Sequence, residues 1–214
     1  MLGEIQSTWP GAAPRVLPLV RELEYYDGFG IAWSHVAPDL GTHQAFLGIG
    51  TLKSIGDDHY ARWRIDFEEV LRVALDNLER DFFPEPFAAY DGLFILESDS
   101  LAPSFMLLPE ELTSMDDGDL IAWPTSRDVL MLTNSESEPG LAQLRSIMSS
   151  YDGGRMTDWA FRWGERGWEP EFLAGQPSPD SATRAAAALD HARVAGEVAD
   201  QITTHLKPSP SHSR

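Results

Sequence analysis

Asp119-Leu-Ile-Ala-Trp-Pro-Thr-Ser-Arg-Asp-Val-Leu-Met-Leu-Thr133 is the stretch from which the fold is best predicted. Two apolar runs, residues 120–123 and 129–132, flank five residues that include Pro124 and Asp128. Short apolar runs bounded by turn-forming residues are typical of buried strands, and so short a connection favours an antiparallel hairpin. Because proline has no amide hydrogen to donate to a sheet, the first strand should end at Pro124.

Two amphipathic helices are predicted on either side of this hairpin. The first begins after Asp66, which suits an N-cap, with Glu69 at the spacing of a capping box. Its apolar residues recur every three or four positions and form one face. They are Phe67, Val70, Leu71, Ala74, Leu75 and Leu78. Pro84 ends this helix, and the second helix begins near Pro139.

The remaining apolar runs predict further strands. Alternation and turn signals indicate strands at residues 29–36, 45–52, 60–65 and 90–96, and a hairpin from residue 156 to Trp168. Pro109 opens a short helix, because proline is tolerated in a first helical turn. The fold class that follows is α+β, with a mainly antiparallel sheet, helices on one face and a peripheral C-terminal helix.

The distribution of proline, glycine and alanine predicts the organisation of the chain. Three prolines before residue 20 indicate a lead-in arm, and the alanine-rich stretch near the C-terminus indicates a helix. The predicted segments are an extended N-terminal arm at 1–20, an α+β domain at 21–175, a linker at 176–181, a C-terminal helix at 182–206 and a disordered tail at 207–214.

The charge of the chain bears on its partners. The formal charge is −18 with a pI near 4.5, which disfavours nucleic acid and anionic membranes and attracts basic proteins. The alternative is that the acidic surface serves solubility alone. No apolar run approaches ~18 residues and the N-terminus does not read as a signal peptide. With no cysteine in the chain, these features favour a cytoplasmic protein.

The candidate binding residues are aromatic and charged side chains in and beyond the hairpin. Tryptophan is enriched in interface hot spots, and an arginine held at a rigid turn can clamp an anion. The candidates are Trp123, Arg127, Asp128, Asp116, Asp117, Asp119, Trp159, Trp163 and Trp168. For Arg127 and Asp128 the alternative is structural, with Asp128 capping the turn and Arg127 packing its stem on aromatic rings.

The sequence contains only weak matches to phosphate-binding, metal-binding and catalytic motifs. The stretch from Gly48 to Ser54 lacks the glycine that a phosphate-binding loop needs before its Lys-Ser pair. No histidine pair has the spacing of a helical zinc site, although His35 and His43 could converge across neighbouring strands. Glu97 and Asp99 would share one face of a strand, as paired catalytic carboxylates do. We predict no metal, no cofactor and no identified catalytic residue.

Several stretches resemble a bacterial family of unknown function that includes YtpQ of Bacillus. The resemblance covers residues 66–151 and is carried by Ala74-Leu-Asp-Asn-Leu78, Ser104-Phe-Met-Leu-Leu-Pro109, the sequence from Gly118 to Thr133 and residues 141–147. Trp123 stands where that family has a small apolar residue. The resemblance implies an α+β fold and no established activity, catalytic residue or cofactor.

Three functions remain open at this stage. The favoured one is a non-catalytic binding protein, such as an immunity or adaptor protein that neutralises a basic protein partner. The second is an enzyme of unrecognised type that uses carboxylates such as Glu97 and Asp99. The third is a structural subunit that docks through its C-terminal helix.

Overall fold

A computed structural model describes residues 8–26, 31–47, 51–83, 87–113, 119–171 and 173. The chain divides into two units, Met1–Gln176 and Pro177–Arg214, and every described residue belongs to the first. The predicted linker, C-terminal helix and tail therefore lie outside the described residues. No helix in the described part of the chain combines the length and the apolar character that crossing a bilayer requires.

The described residues form ten strands and five α-helices. The strands are β1 Val16–Glu22, β2 Ser34–Ala37, β3 Leu40–Leu47, β4 Leu52–Ser54, β5 Phe87–Tyr90, β6 Leu93–Glu97, β7 Leu120–Pro124, β8 Val129–Asn134, β9 Ala160–Gly164 and β10 Gly167–Glu171. The helices are α1 Trp9–Ala12, α2 Asp57–Trp63, α3 Phe67–Phe82, α4 Pro109–Thr113 and α5 Glu138–Ser150, with 3-10 turns at Ala13–Arg15, Leu23–Tyr26 and Ala102–Leu107.

The strands form two antiparallel sheets. In the first, β3 pairs with β1 along one edge and with both β2 and β4 along the other. The second has the order β10-β9-β7-β8-β6-β5. Every pairing in both sheets is antiparallel, which confirms the predicted α+β class.

Helix α3 and the first sheet enclose one core. Asp66 caps the helix as predicted, because its Oδ1 accepts the amide of Glu69 at 2.9 Å. Val70 and Ala74 are fully buried against the face of the first sheet that carries Val16 and Phe46. The core of this layer is Ala12, Val16, Phe46, Ile55, Tyr60, Trp63, Val70 and Ala74.

Two sequence expectations in this layer are wrong. Residues from Trp9 onward do not belong to a lead-in arm: Val16–Glu22 is a strand buried between β3 and the elements beside it. Pro18 is accommodated because β1 pairs with another strand on one side only. Residues 57–63 form helix α2 rather than the predicted strand, with Asp57 and Asp58 in its first turn, where the helix dipole favours acids.

The β7–β8 hairpin and α5 build the second core. Strand β7 ends at Pro124 as predicted, and its residues pair in register with β8, with Trp123 opposite Met131. Helix α5 begins at Glu138, where Ser137 caps it by accepting the amide of Gly140 at 3.2 Å. The buried residues of this layer are Leu93, Ile121, Trp123, Met131, Leu141, Leu144, Met148, Ala160 and Leu173.

The 3-10 turn Ala102–Leu107 connects the two sheets. The amide of Val20 in β1 donates to Ser104 Oγ at 3.2 Å, and the indole of Trp168 in β10 donates to the Met106 carbonyl at 2.7 Å. Because Ser104 and Met106 are both buried, these hydrogen bonds fix β1 and β10 to one rigid turn.

Candidate functional site

The tip of the β7–β8 hairpin makes structural contacts. Arg127 donates to Glu22 Oε1 at 3.0 Å, and its guanidinium lies 6.0 Å from the centre of the Tyr25 ring. Asp128 accepts the backbone amide of Ser100 at 2.7 Å. Both side chains are exposed and make contacts within the protein: Arg127 lies near an aromatic ring, and Asp128 holds a neighbouring loop rather than capping its own turn.

Three of the four candidate tryptophans are buried in the described part of the chain. Trp123 is fully buried and donates to the Thr157 carbonyl at 3.1 Å. Trp159 and Trp168 are 7% and 6% exposed. Trp163 is half-buried with its ring 5.2 Å from that of Trp168. The hydrophobic gain from burying such large rings in the core outweighs their use at a surface.

The candidate carboxylates do not converge with the hairpin tip. Asp119 is exposed and lies 3.5 Å from Arg162, at the start of β7, whereas Arg127 follows the end of that strand. At ~3.3 Å per residue the strand keeps the two side chains well apart. Asp116 and Asp117 lie outside the described residues. Glu97 and Asp99 are both exposed, so the carboxylate pair of the enzyme hypothesis lies in solvent.

A hydrogen-bonded chain of buried and half-buried side chains lies on the face of the first sheet opposite α3. Tyr26 donates its hydroxyl hydrogen to the Gly41 carbonyl at 2.9 Å, and the same oxygen lies 3.1 Å from His43 Nδ1. The other ring nitrogen, His43 Nε2, lies 3.0 Å from Ser54 Oγ. Tyr25 completes the chain, with its hydroxyl 3.3 Å from Ser54 Oγ and its ring stacked on His43 at 5.4 Å.

The tautomer of His43 follows from these contacts. A tyrosine hydroxyl has one hydrogen, which Tyr26 gives to Gly41, so its oxygen accepts from His43. Nδ1 therefore carries the imidazole hydrogen, and Nε2 presents a lone pair to Ser54. Burial, and to a lesser degree the charge of the nearby Arg21 guanidinium, lowers the pKa of His43 to about 4. The ring is neutral at pH 7.

The exposed face of this region is formed by Trp33. It is 40% exposed, the highest exposure of any large apolar side chain in the described residues. Its ring stacks on Tyr26 at 5.0 Å and meets His35 edge-on at 4.8 Å. A β-carbon at Gly41 would lie 2.9 Å from the Trp33 ring and 2.8 Å from that of Tyr26, so glycine there is what lets both rings lie on the strand.

An open depression of about 500 Å³ adjoins Trp33. It is lined by Ile31, Ala32, Trp33, Ser34, Phe67 and Glu68. Glu68 is exposed at the start of α3, and the ring of Phe67 lies 6.3 Å from that of Tyr60. Burial raises the pKa of Tyr60, and the carboxylates of Asp57 and Glu68 raise it further. Of these two acids, Glu68 lines the depression.

The exposed surface of α2 and α3 carries uncompensated acids. Arg62, Arg72 and Arg80 pair with acids on their own helices. None of the ion pairs in the described residues involves Asp57, Glu68 or Glu79. This surface, α2 and α3 with Trp33 beside them, is called the acidic face below.

Sequence reasoning missed Trp33 and the His43 chain. Trp33 was included in the predicted strand at residues 29–36 and was not among the candidate binding residues, although its neighbours Ile31 and Ala32 precede β2 and line a depression. The hydrogen-bonded chain joins three segments that no local spacing connects. Within the residues that the structure describes, no group of three or more acidic or histidine side chains is placed to hold a metal ion.

Comparisons of the chain with protein-family models, with curated proteins and with solved structures gave no match.

Proposed function

We propose that this chain is a binding protein, of the immunity or adaptor kind, for a basic protein partner in the cytoplasm. The observation that carries the proposal is the depression in which exposed Trp33 and Phe67 lie beside Glu68. Its aromatic rings and carboxylate suit a lysine or arginine side chain, whose apolar stem packs on the rings while its charge meets the acid.

The charge of the molecule supports the same proposal. Attraction between a chain of charge −18 and a basic protein accelerates their encounter and makes the complex sensitive to salt. The unpaired acids Asp57, Glu68 and Glu79 add a local field on the acidic face. Trp33 is exposed beside Glu68, and tryptophan is enriched in interface hot spots because its ring buries a large area on binding.

The resemblance to the YtpQ family stays a proposal beside this one. It rests on the hairpin and helix residues quoted above, and it assigns no activity that would compete with partner binding.

The test is capture of the partner by the full chain from its own host at two salt concentrations, with mass spectrometry of the proteins retained. We expect a basic protein that is held at about 50 mM salt and weakened about tenfold or more at about 300 mM, where screening is stronger. With that protein purified, Trp33→Ala should weaken binding about thirtyfold, a typical loss for a tryptophan hot spot.

Matched charge reversals locate the contact. Glu68→Lys and Glu79→Lys change the net charge equally on the same helix, but only Glu68 lines the depression. We expect Glu68→Lys to weaken binding at least tenfold more than Glu79→Lys. An affinity that is the same at both salt concentrations would refute charge steering, and equal effects of the two reversals would refute this depression as the contact.

A further inference from the structure

The Ser54, His43 and Tyr26 side chains have an arrangement that the binding function does not use. We propose that Ser54 and His43 form a nucleophile and general-base pair, with Tyr26 as the residue that positions the histidine. The pair would react with electrophilic acyl or phosphoryl groups. This inference is independent of the proposed function, since none of the three side chains lines the depression beside Trp33.

Geometry is the first support. Ser54 Oγ and His43 Nε2 are 3.0 Å apart, within the range in which a base takes the proton of an attacking hydroxyl. The tautomer is the required one, because the Nδ1 hydrogen is committed to Tyr26 and Nε2 is free to accept. Ser54 is half-buried in the edge strand β4, whereas His43 is completely enclosed.

The neighbours of the pair complete the arrangement. Tyr25 lies 3.3 Å from Ser54 Oγ, and because Ser54 gives its hydrogen to His43, Tyr25 is the donor in that contact. Arg21 is 5% exposed, and its charge contributes to the low pKa of His43 after the larger effect of burial.

The reaction is a substitution at the electrophile. Ser54 Oγ forms a bond to the carbonyl carbon or the phosphorus, its proton passes to His43 Nε2, and the leaving group departs and takes up a proton. The product is an ester of Ser54. In the Ser-His-Asp arrangement a carboxylate stabilises the imidazolium. Tyr26 is neutral and stabilises it less, so we expect slow rather than rapid acylation.

The probe is an alkyl fluorophosphonate, which loses fluoride when a nucleophilic serine attacks its phosphorus. The full chain is incubated with the probe at pH 8 and the adduct is measured by intact mass and peptide mapping. We expect one adduct on Ser54 that disappears in Ser54→Ala and persists in Ser146→Ala, a control serine exposed on α5. No adduct after prolonged incubation, or an adduct that persists in Ser54→Ala, would overturn the proposal.

The role of Tyr26 has a separate, spectroscopic readout. Long-range ¹⁵N–¹H correlation spectra of the imidazole report which nitrogen carries the hydrogen, whether or not the protein reacts. We expect the Nδ1–H tautomer for His43 in the unmodified chain, and a mixed tautomer with at least tenfold slower labelling in Tyr26→Phe. The Nε2–H tautomer in the unmodified chain would overturn the assignment of His43 as the base.

Discussion

The buried side-chain amide of Asn77 in α3 holds the segment from Ala13 to Val16 against that helix. Its Nδ2 donates to the carbonyls of Ala13 and Val16 at 2.8 and 2.9 Å, while its Oδ1 accepts from Arg80. Asn77→Ala leaves two carbonyls without this donor. We expect the free energy of unfolding, measured by urea titration, to fall by about 2 to 3 kcal/mol. Glu79→Ala, exposed on the same helix, should change it by less than about 0.5 kcal/mol.

His43 gives stability a defined dependence on pH. The pKa of His43 is about 4 in the folded chain, whereas the ordinary pKa of histidine is 6.5. Between pH 4 and pH 6.5 the unfolded state therefore binds more protons than the folded state. His43 therefore does not change the free energy of unfolding above pH 6.5. As the pH falls toward 4, protonation of His43 lowers that free energy by about 3 kcal/mol in total. Urea titrations at several pH values should show this loss, and the His43→Gln variant should lack it. An NMR pKa for His43 near 6.5 would contradict it.

At the scale of residues, sequence reasoning succeeded where the signal was local. Asp66 was placed correctly because an N-cap and the amide it accepts lie within four residues, although the Glu69 carboxylate pairs with Arg72. The enclosure of the Trp123 indole was not evident from the sequence, because its hydrogen-bond partner, Thr157, is 34 residues away. His43 depends on Tyr26 and Ser54 in the same way.

Helix α5 packs closely against the β5–β6 turn because the residues at their contact, Gly140 and Gly92, have no side chains. A β-carbon at Gly140 would overlap the Gly92 carbonyl and the Thr133 hydroxyl, so the helix N-terminus can approach the β5–β6 turn only without a side chain. Gly140→Ala should lower the free energy of unfolding by about 3 kcal/mol, because overpacking forces the helix outward. Gly154→Ala, where nothing lies within 4 Å of the added carbon, should leave urea unfolding almost unchanged. Equal effects of the two variants would contradict this account.

Elements were predictable when their periodicity and end signals agreed. Helix α3 and the β7–β8 hairpin satisfied both conditions and were predicted closely. Strand β1 was missed because Pro18 indicates a break, whereas its pairing with β3 involves residues about 18 to 30 positions away. Helix α2 was mistaken for a strand because Tyr60, Arg62 and Arg64 alternate, although Tyr60 and Trp63 also fit one helical face.

For the whole molecule, the net charge follows from the composition, whereas the positions of the charged side chains on the surface do not. Composition gave −18, but the acidic face exists because α2 and α3 expose Asp57, Glu68 and Glu79, of which Glu68 lies beside Trp33. Two sheets with separate helical layers were likewise not foreseen from a sequence that predicted one mainly antiparallel sheet.

The same charge should weaken the folded state at low ionic strength. A compact chain of charge −18 repels itself, and the ion pairs of the described residues are mostly exposed and contribute little each. Screening should therefore stabilise the fold on balance. Between about 10 and 300 mM sodium chloride we expect the free energy of unfolding to rise by about 1 kcal/mol and the Tm, measured by calorimetry, to rise by about 3 °C.

Replacing Glu68 and Glu79 by Gln should reduce this rise in Tm, since it removes two charges that no ion pair compensates. A Tm that falls with salt would mean that the ion pairs outweigh the repulsion, and would contradict this account of the acidic face.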